Sequence, residues 1–256
     1  GLKRSEDRVA QAQGDWVNTI FFDDMESGVN GWTVVTDGGT VLWHQVTNPE
    51  IMSVLGPVDG GCLAPPFPPP EWPNDINPDL VYMRDIDKNG VAWLPSAYSG
   101  STAWWFGADS NGTYIDDPFN AACASGCRDG GDGCAAHQGM LVSPWIDLST
   151  VKNAAFSYYT WWEVEGERAQ LGYDAMWAMV STDGVNFEAV DYINDEAPPA
   201  WIWIPSVPWS SWGANMPGIW VKRTADLTRF VGQPIQIAFF FDTVDVGNNG
   251  FRGWFI

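Results

Sequence analysis

The chain is poor in positive charge. Across 256 residues, only 12 lysines and arginines stand against 32 aspartates and glutamates, a net charge of −20. Such a field repels the phosphates of nucleic acid and anionic lipid headgroups, which argues against both as partners. Long apolar runs are missing as well: none approaches the roughly 18 residues of a membrane-spanning helix. Helical spacing is scarce throughout. Histidine occurs twice, at His44 and His137. Neither stands in a nucleophile-elbow context, so a serine–histidine–aspartate triad has little to be built from. His44, inside the strand pattern TVLWHQV, reads as structural, and His137, beside a cysteine-bearing loop, reads as exposed. Residues 1–15, GLKRSEDRVAQAQGD, hold no apolar core of a signal peptide and read as a polar tail or linker. In an exported protein, Gly1 would follow a cleavage already made. No internal repeat is found.

Glycine (27), proline (18) and tryptophan (17) are plentiful, with charged residues at only 17%. This is the profile of a loop-rich secreted β-protein, extracellular or in the cell envelope. Four cysteines, Cys62, Cys123, Cys127 and Cys134, suggest two disulfides in an oxidising compartment. The alternative, a metal held by these thiols with His137, matches no zinc-ligand spacing. A chain this long buries roughly 70–75% of its unfolded surface, so cross-links would reinforce the fold rather than permit it.

After Trp16, strand patterns recur at short intervals: VNTIFF, GWTVV, TVLWHQV, TAWWFG, AAFSYYTWW, DAMWAMVS, IWVKRT and PIQIAFFF, joined by turns such as DGG, DGVN and GNNG. Alternation is plain where Met176, Ala178 and Val180 share one face. The spacing predicts an all-β fold, two antiparallel sheets packed as a sandwich, in one domain over 16–256. The segments LSTVKNA and DLTRF read as short crossovers. Three insertions interrupt the rhythm. Residues 48–97 contain PPFPPPEWP, whose prolines bar a central strand; 116–138 hold three cysteines; and 198–218 are rich in tryptophan and lack a strand pattern.

Two stretches near opposite ends, FFDDMESGVNGW (21–32) and FFFDTVDVGNNGFRGW (239–254), each couple an apolar run to an acidic, glycine-rich turn and then a tryptophan. They suggest the first and last strands of one sandwich closing on each other. Together with LWHQV, YSGSTAWWFG, GMLVSPWIDLS, FSYYTWWEVEGE and YDAMWAMVSTDGVNF, in this order, they resemble the MAM-type jelly-roll domains, especially the bacterial form attached to immune inhibitor A metallopeptidases and other exported proteins. The resemblance runs from about Phe21 to Ile256 and implies a jelly-roll sandwich, itself non-catalytic, that serves adhesion, association or substrate targeting. It also implies a structural calcium, with Asp24 and Glu26 near Asp242 and Asp245. The metallopeptidase signature HExxH is absent, so no protease activity carries over. The family pattern runs on past GWFI with two aspartates and a closing strand. Here Ile256 is the last residue, which predicts an incompletely paired edge that another chain could complete.

Other constellations carry two readings each. DIDKNG places Asp85, Asp87 and Asn89 at alternate positions before Gly90, like the first half of an EF-hand calcium loop, but Ser96 stands where the bidentate acid belongs; the same residues are good turn formers. Asp23, Asp24 and Glu26 beside Asp242 and Asp245 would repel one another unless a cation or protons intervened, or would form a solvated acidic rim. Glu163, Glu165 and Glu167 would project from one strand face about 7 Å apart, a pattern distantly like that of β-sandwich glycosidases, whose carboxyls lie ~5–5.5 Å apart across a cleft. Gly166 more readily marks the end of that strand. Trp201, Trp203, Trp209, Trp212 and Trp220 either form an exposed patch that stacks on sugars or anchors a protein, or fold down as a lid. Asn111-Gly112-Thr113 is a glycosylation sequon. The leading expectation is an exported, calcium-stabilised, non-catalytic association module that meets protein subunits of the same or a larger assembly. Carbohydrate binding through the tryptophan loop is the alternative, and glycoside hydrolysis a lesser one.

Overall fold

Aromatic and β-branched residues at every second position give strands with one committed face. The structure, a computed structural model, describes residues 18–39, 41–51, 53–54, 92–110, 112–116, 133–165, 174–193, 208–214, 218–247 and 249–256. In chain order the strands are β1 (Thr33–Thr36), β2 (Leu42–Thr47), β3 (Ser53–Val54), β4 (Ala92–Trp93), β5 (Thr102–Gly107), β6 (Gln138–Val142), β7 (Ile146–Asp147), β8 (Ala155–Glu165), β9 (Ala175–Ser181), β10 (Glu188–Tyr192), β11 (Pro208–Ser210), β12 (Gly213–Ala214), β13 (Val221–Asp226), β14 (Pro234–Asp242) and β15 (Gly253–Phe255). No α-helix occurs among the described residues; Pro49–Ile51 and Thr228–Phe230 make single 3-10 turns. No helix there is long and apolar enough to cross a membrane.

The expected two-sheet sandwich is what these strands build. One sheet runs β1-β6-β14-β9-β10, with β7 added to β14; the other runs β12-β11-β8-β15-β5-β2, with β13 on β8. All pairings are antiparallel. Between the sheets lie Met176 and Ala178 from β9, Phe239 and Phe241 from β14, Trp162 and Val164 from β8, and Trp43, Phe106 and Trp254. Val180 joins Ile235 and Ile237 at one end of the same layer. A buried indole needs a partner for its N–H, and Trp254 finds one in Thr160 Oγ1 at 2.7 Å, which donates on to the Phe255 carbonyl at 3.0 Å.

The second sheet is apolar on its outer face as well. Where β5, β8 and β15 carry two large residues in succession, one of each pair faces out: Trp105, Trp161 and Phe255 pack with Val46 and Ala103 under Leu94, Ala97 and Trp220. A sheet covered on both sides loses the inside-outside alternation that marks a half-exposed strand.

The ends of the chain depart from expectation. VNTIFF forms no strand, as 18–24 run without ladder partners; Val17 lies outside the described residues. The segment still closes the sandwich through its aromatics, since Phe21 meets Trp32 at 6.3 Å and Trp32 stacks on Phe239 at 6.1 Å. GWFI is no edge strand. β15 is hydrogen-bonded to β5 and β8 on its two sides, and Ile256 exchanges both backbone bonds with Trp104 at 2.9 Å. Gly253 lets this happen: its φ is +82°, and a Cβ there would run into the Phe106 carbonyl. The 198–218 insertion also holds regular structure, because β11 and β12 form a hairpin paired onto the end of β8.

Candidate binding surface and buried acidic clusters

The carboxylates that the sequence groups into one calcium site are not brought together. Asp24 Oδ1 accepts from the Glu26 amide at 3.1 Å, closing a local turn. Glu26 reaches across to the start of β5, where it accepts from the Ser101 amide, the Ser101 hydroxyl and the Thr102 amide at 2.7–2.9 Å. The Ser101 amide, above all, holds its carboxyl below the usual range. Asp242 and Asp245 lie at the other end of the sandwich. Asp242 is in register with Gln138, whose neighbour Gly139 accepts the Trp43 indole N–H, and Trp43 pairs with Phe106 near the end of β5. The five-residue step from Thr102 to Gly107 spans about 17 Å, too far for one ion. Asp242 and Asp245 are instead turn-formers, accepting from the Val244 and Gly247 amides. Among the described residues no group of three or more histidines, cysteines, aspartates or glutamates is placed to hold a metal. Asp85, Asp87 and Asn89 lie outside those residues, as do Cys62, Cys123, Cys127, Trp201, Trp203 and Glu167. Cys134 is disulfide-bonded.

A different acidic cluster forms near Asp242 and Asp245. Tyr114 donates its hydroxyl to Asp174 Oδ2 at 2.6 Å, and the Glu165 amide donates to both the Tyr114 oxygen and Asp174 Oδ2. Burial pushes the Asp174 carboxyl up to about 8, with the charges of Asp245 and Asp242 acting the same way, and burial also raises the Tyr114 phenol well above its ordinary value. These residues come from four separate stretches of chain, so no spacing in the sequence announces the cluster.

Glu163 and Glu165 do share a face of β8, but neither opens on a cleft. Glu163 is 2% exposed. Arg252 Nε donates to its Oε2 at 2.6 Å, Arg252 Nη2 closes on Oε1, and the Gly218 amide adds a third donor at 3.0 Å. The guanidinium also covers Trp161 at 5.1 Å. His44 is held between the Leu42 carbonyl and Asp109, each at 2.9 Å. His137, read from sequence as exposed, is buried: its ring nitrogens lie 3.6 Å from Asp37 and 3.5 Å from Asp116, because the 133–137 segment folds in against Thr243.

Of the five tryptophans expected to form a binding patch, the three that are described divide three ways. Trp209 is core, 5.4 Å from Trp162. Trp220 is half-buried over the outer cluster, its indole N–H bonded to the Ser96 carbonyl at 2.8 Å. Trp212, at the tip of the β11–β12 hairpin, is exposed, and Ser211 ties that tip to Ile219 through two bonds, so exposed Trp212 and exposed Ile219 flank one pinned junction. Sequence reading did not single out Tyr98, which stacks on Tyr159 at 3.6 Å with Trp220 edge-on at 6.0 Å. Its only signal was its place at the close of a proline-rich insertion.

No family model matches the chain, and no curated protein matches it. Among solved structures, the K2 cleaved adhesin domain of Lys-gingipain (Kgp) superposes with a TM-score of 0.35 and 14% sequence identity, over 91% of this chain and 94% of that one.

Proposed function

We propose that this chain is a non-catalytic association module of an exported assembly, docking a protein subunit through the hairpin apex at Trp212 and Ile219. The observation that carries the reading is that apex: two large apolar side chains, 47% and 42% exposed, held in place by the Ser211–Ile219 bonds rather than left on a loose loop. Pre-ordered aromatic anchors suit the centre of an interface, where a few such residues supply most of the affinity. The non-catalytic part of the proposal draws on Glu163, whose oxygens are taken by Arg252 and Gly218. Hydrogen exchange tests the docking site. In the assembled particle, amides of 208–214 and 218–220 should be protected relative to the isolated chain, and equal exchange in both states would remove the proposal.

A further inference from the structure

On the outer face of β8 and β13, alternate residues line up in register: Ser157 opposite Thr224 and Tyr159 opposite Lys222. Their hydroxyls and rings are tied into one strip. Ser157 and Thr224 share a hydrogen bond at 2.8 Å, Lys222 Nζ stands 6.0 Å from the Tyr159 ring centre, and Tyr98 lies on Tyr159 with planes only 14° apart. Trp220, fixed by Ser96, braces Tyr98 from the side. Tyr98 is 48% exposed, and Ser157, Lys222 and Thr224 are all exposed.

We propose that this strip binds a neutral polysaccharide laid along β13. Sugar rings have apolar C–H faces and hydroxyl rims. The strip presents the matching alternation, a flat aromatic flanked by hydroxyls and one ammonium. From Trp220 to Asp226 it runs about 20 Å, long enough for several sugar units. The net charge of −20 sets the class, because uronate-rich or sulfated chains and nucleic acid would be repelled as they approached. The strip meets the Trp212–Ile219 apex at Trp220, but Tyr98, Ser157, Lys222 and Thr224 lie outside the 208–214 and 218–220 segments of that apex, so either site can fail without the other.

Affinity electrophoresis of the full chain in gels containing soluble mixed-linkage β-glucan, xyloglucan or galactomannan, with alginate as the anionic comparator, tests it. At least one neutral glycan should retard the protein, with binding weakened about tenfold by Tyr98→Ala and several-fold by Thr224→Val. Trp145→Ala, at an exposed tryptophan away from the strip, should leave it unchanged. Each variant's unfolding temperature confirms that it folds. Retardation by none of the three neutral glycans, retardation indifferent to Tyr98→Ala, or preference for alginate would each overturn the proposal. So would a Tyr98→Ala chain that binds glycan normally but no longer joins its assembly, since the strip's occupant would then be a protein.

Discussion

Glu163 and Arg252 bury opposite charges together, with side chains 3% and 11% exposed. Removing one partner of such a pair strands a charge in an apolar setting, which costs about 3–5 kcal/mol, whereas replacing both by apolar residues costs much less. Arg252→Met should therefore lower unfolding free energy in urea by about that amount, and Arg252→Met with Glu163→Leu should recover most of it. A loss below about 1 kcal/mol in the single variant would mean the pair is not desolvated. Asp174 behaves oppositely, since burial raises its carboxyl to about 8. The folded chain keeps a proton that the unfolded chain releases near pH 4. Its contribution to stability is thus full below that pH and is lost as pH rises through 8, with a slope of at most about 1.4 kcal/mol per pH unit. Asp174→Asn should flatten the decline in unfolding temperature between pH 5 and 8 and stabilise the protein at pH 8. An unchanged slope would show that the carboxyl ionises freely in the fold.

The N-terminal turn, 23–32, is an element made almost entirely of side-chain bonds. Asp23 gathers the Met25 amide, the Asn30 side chain and the Trp32 indole, while Glu26 clamps the start of β5 at Ser101 and Thr102. Glu26→Ala should speed hydrogen exchange at Ser101 and Thr102, with little change at Trp104. Any calcium-dependent shift in unfolding temperature should persist in Glu26→Gln, because this carboxylate already serves backbone donors. These elements also show how far the sequence could be read. β9 was legible because its residues alternate, and β14 because PIQIAFFF is a short apolar run bounded by turn residues. The outer layer under Leu94 and Trp220 was not, because adjacent pairs such as Trp161-Trp162 and Trp254-Phe255 signal two buried faces and break that alternation. VNTIFF has strand composition, yet its ladder never forms; Phe21 and Trp32 serve as plugs instead. The acidic residues were legible as turn-formers, but which of them meet depends on strand register between distant segments, and that register set Asp242 beside Asp174 rather than Glu26.

At the scale of the molecule, an acidic sandwich puts Glu163, Glu165 and Asp174 to buried structural use and holds exposed Trp212 beside exposed Ile219 at a pinned junction on the hairpin side of its second sheet. A surface dominated by negative charge resists unspecific association, so a stable contact needs a dehydrated anchor, and Trp212 with Ile219 offers one that is held in place by the Ser211 bonds. The most direct test is the light-scattering mass of the particle in which the chain is isolated under native conditions. A subunit docked through Trp212 and Ile219 should give a mass well above the 28.2 kDa of one chain, falling to the single-chain value in a folded Trp212→Ser, Ile219→Ser variant. A single-chain mass for the unaltered protein, or a large particle indifferent to both substitutions, would contradict this docking.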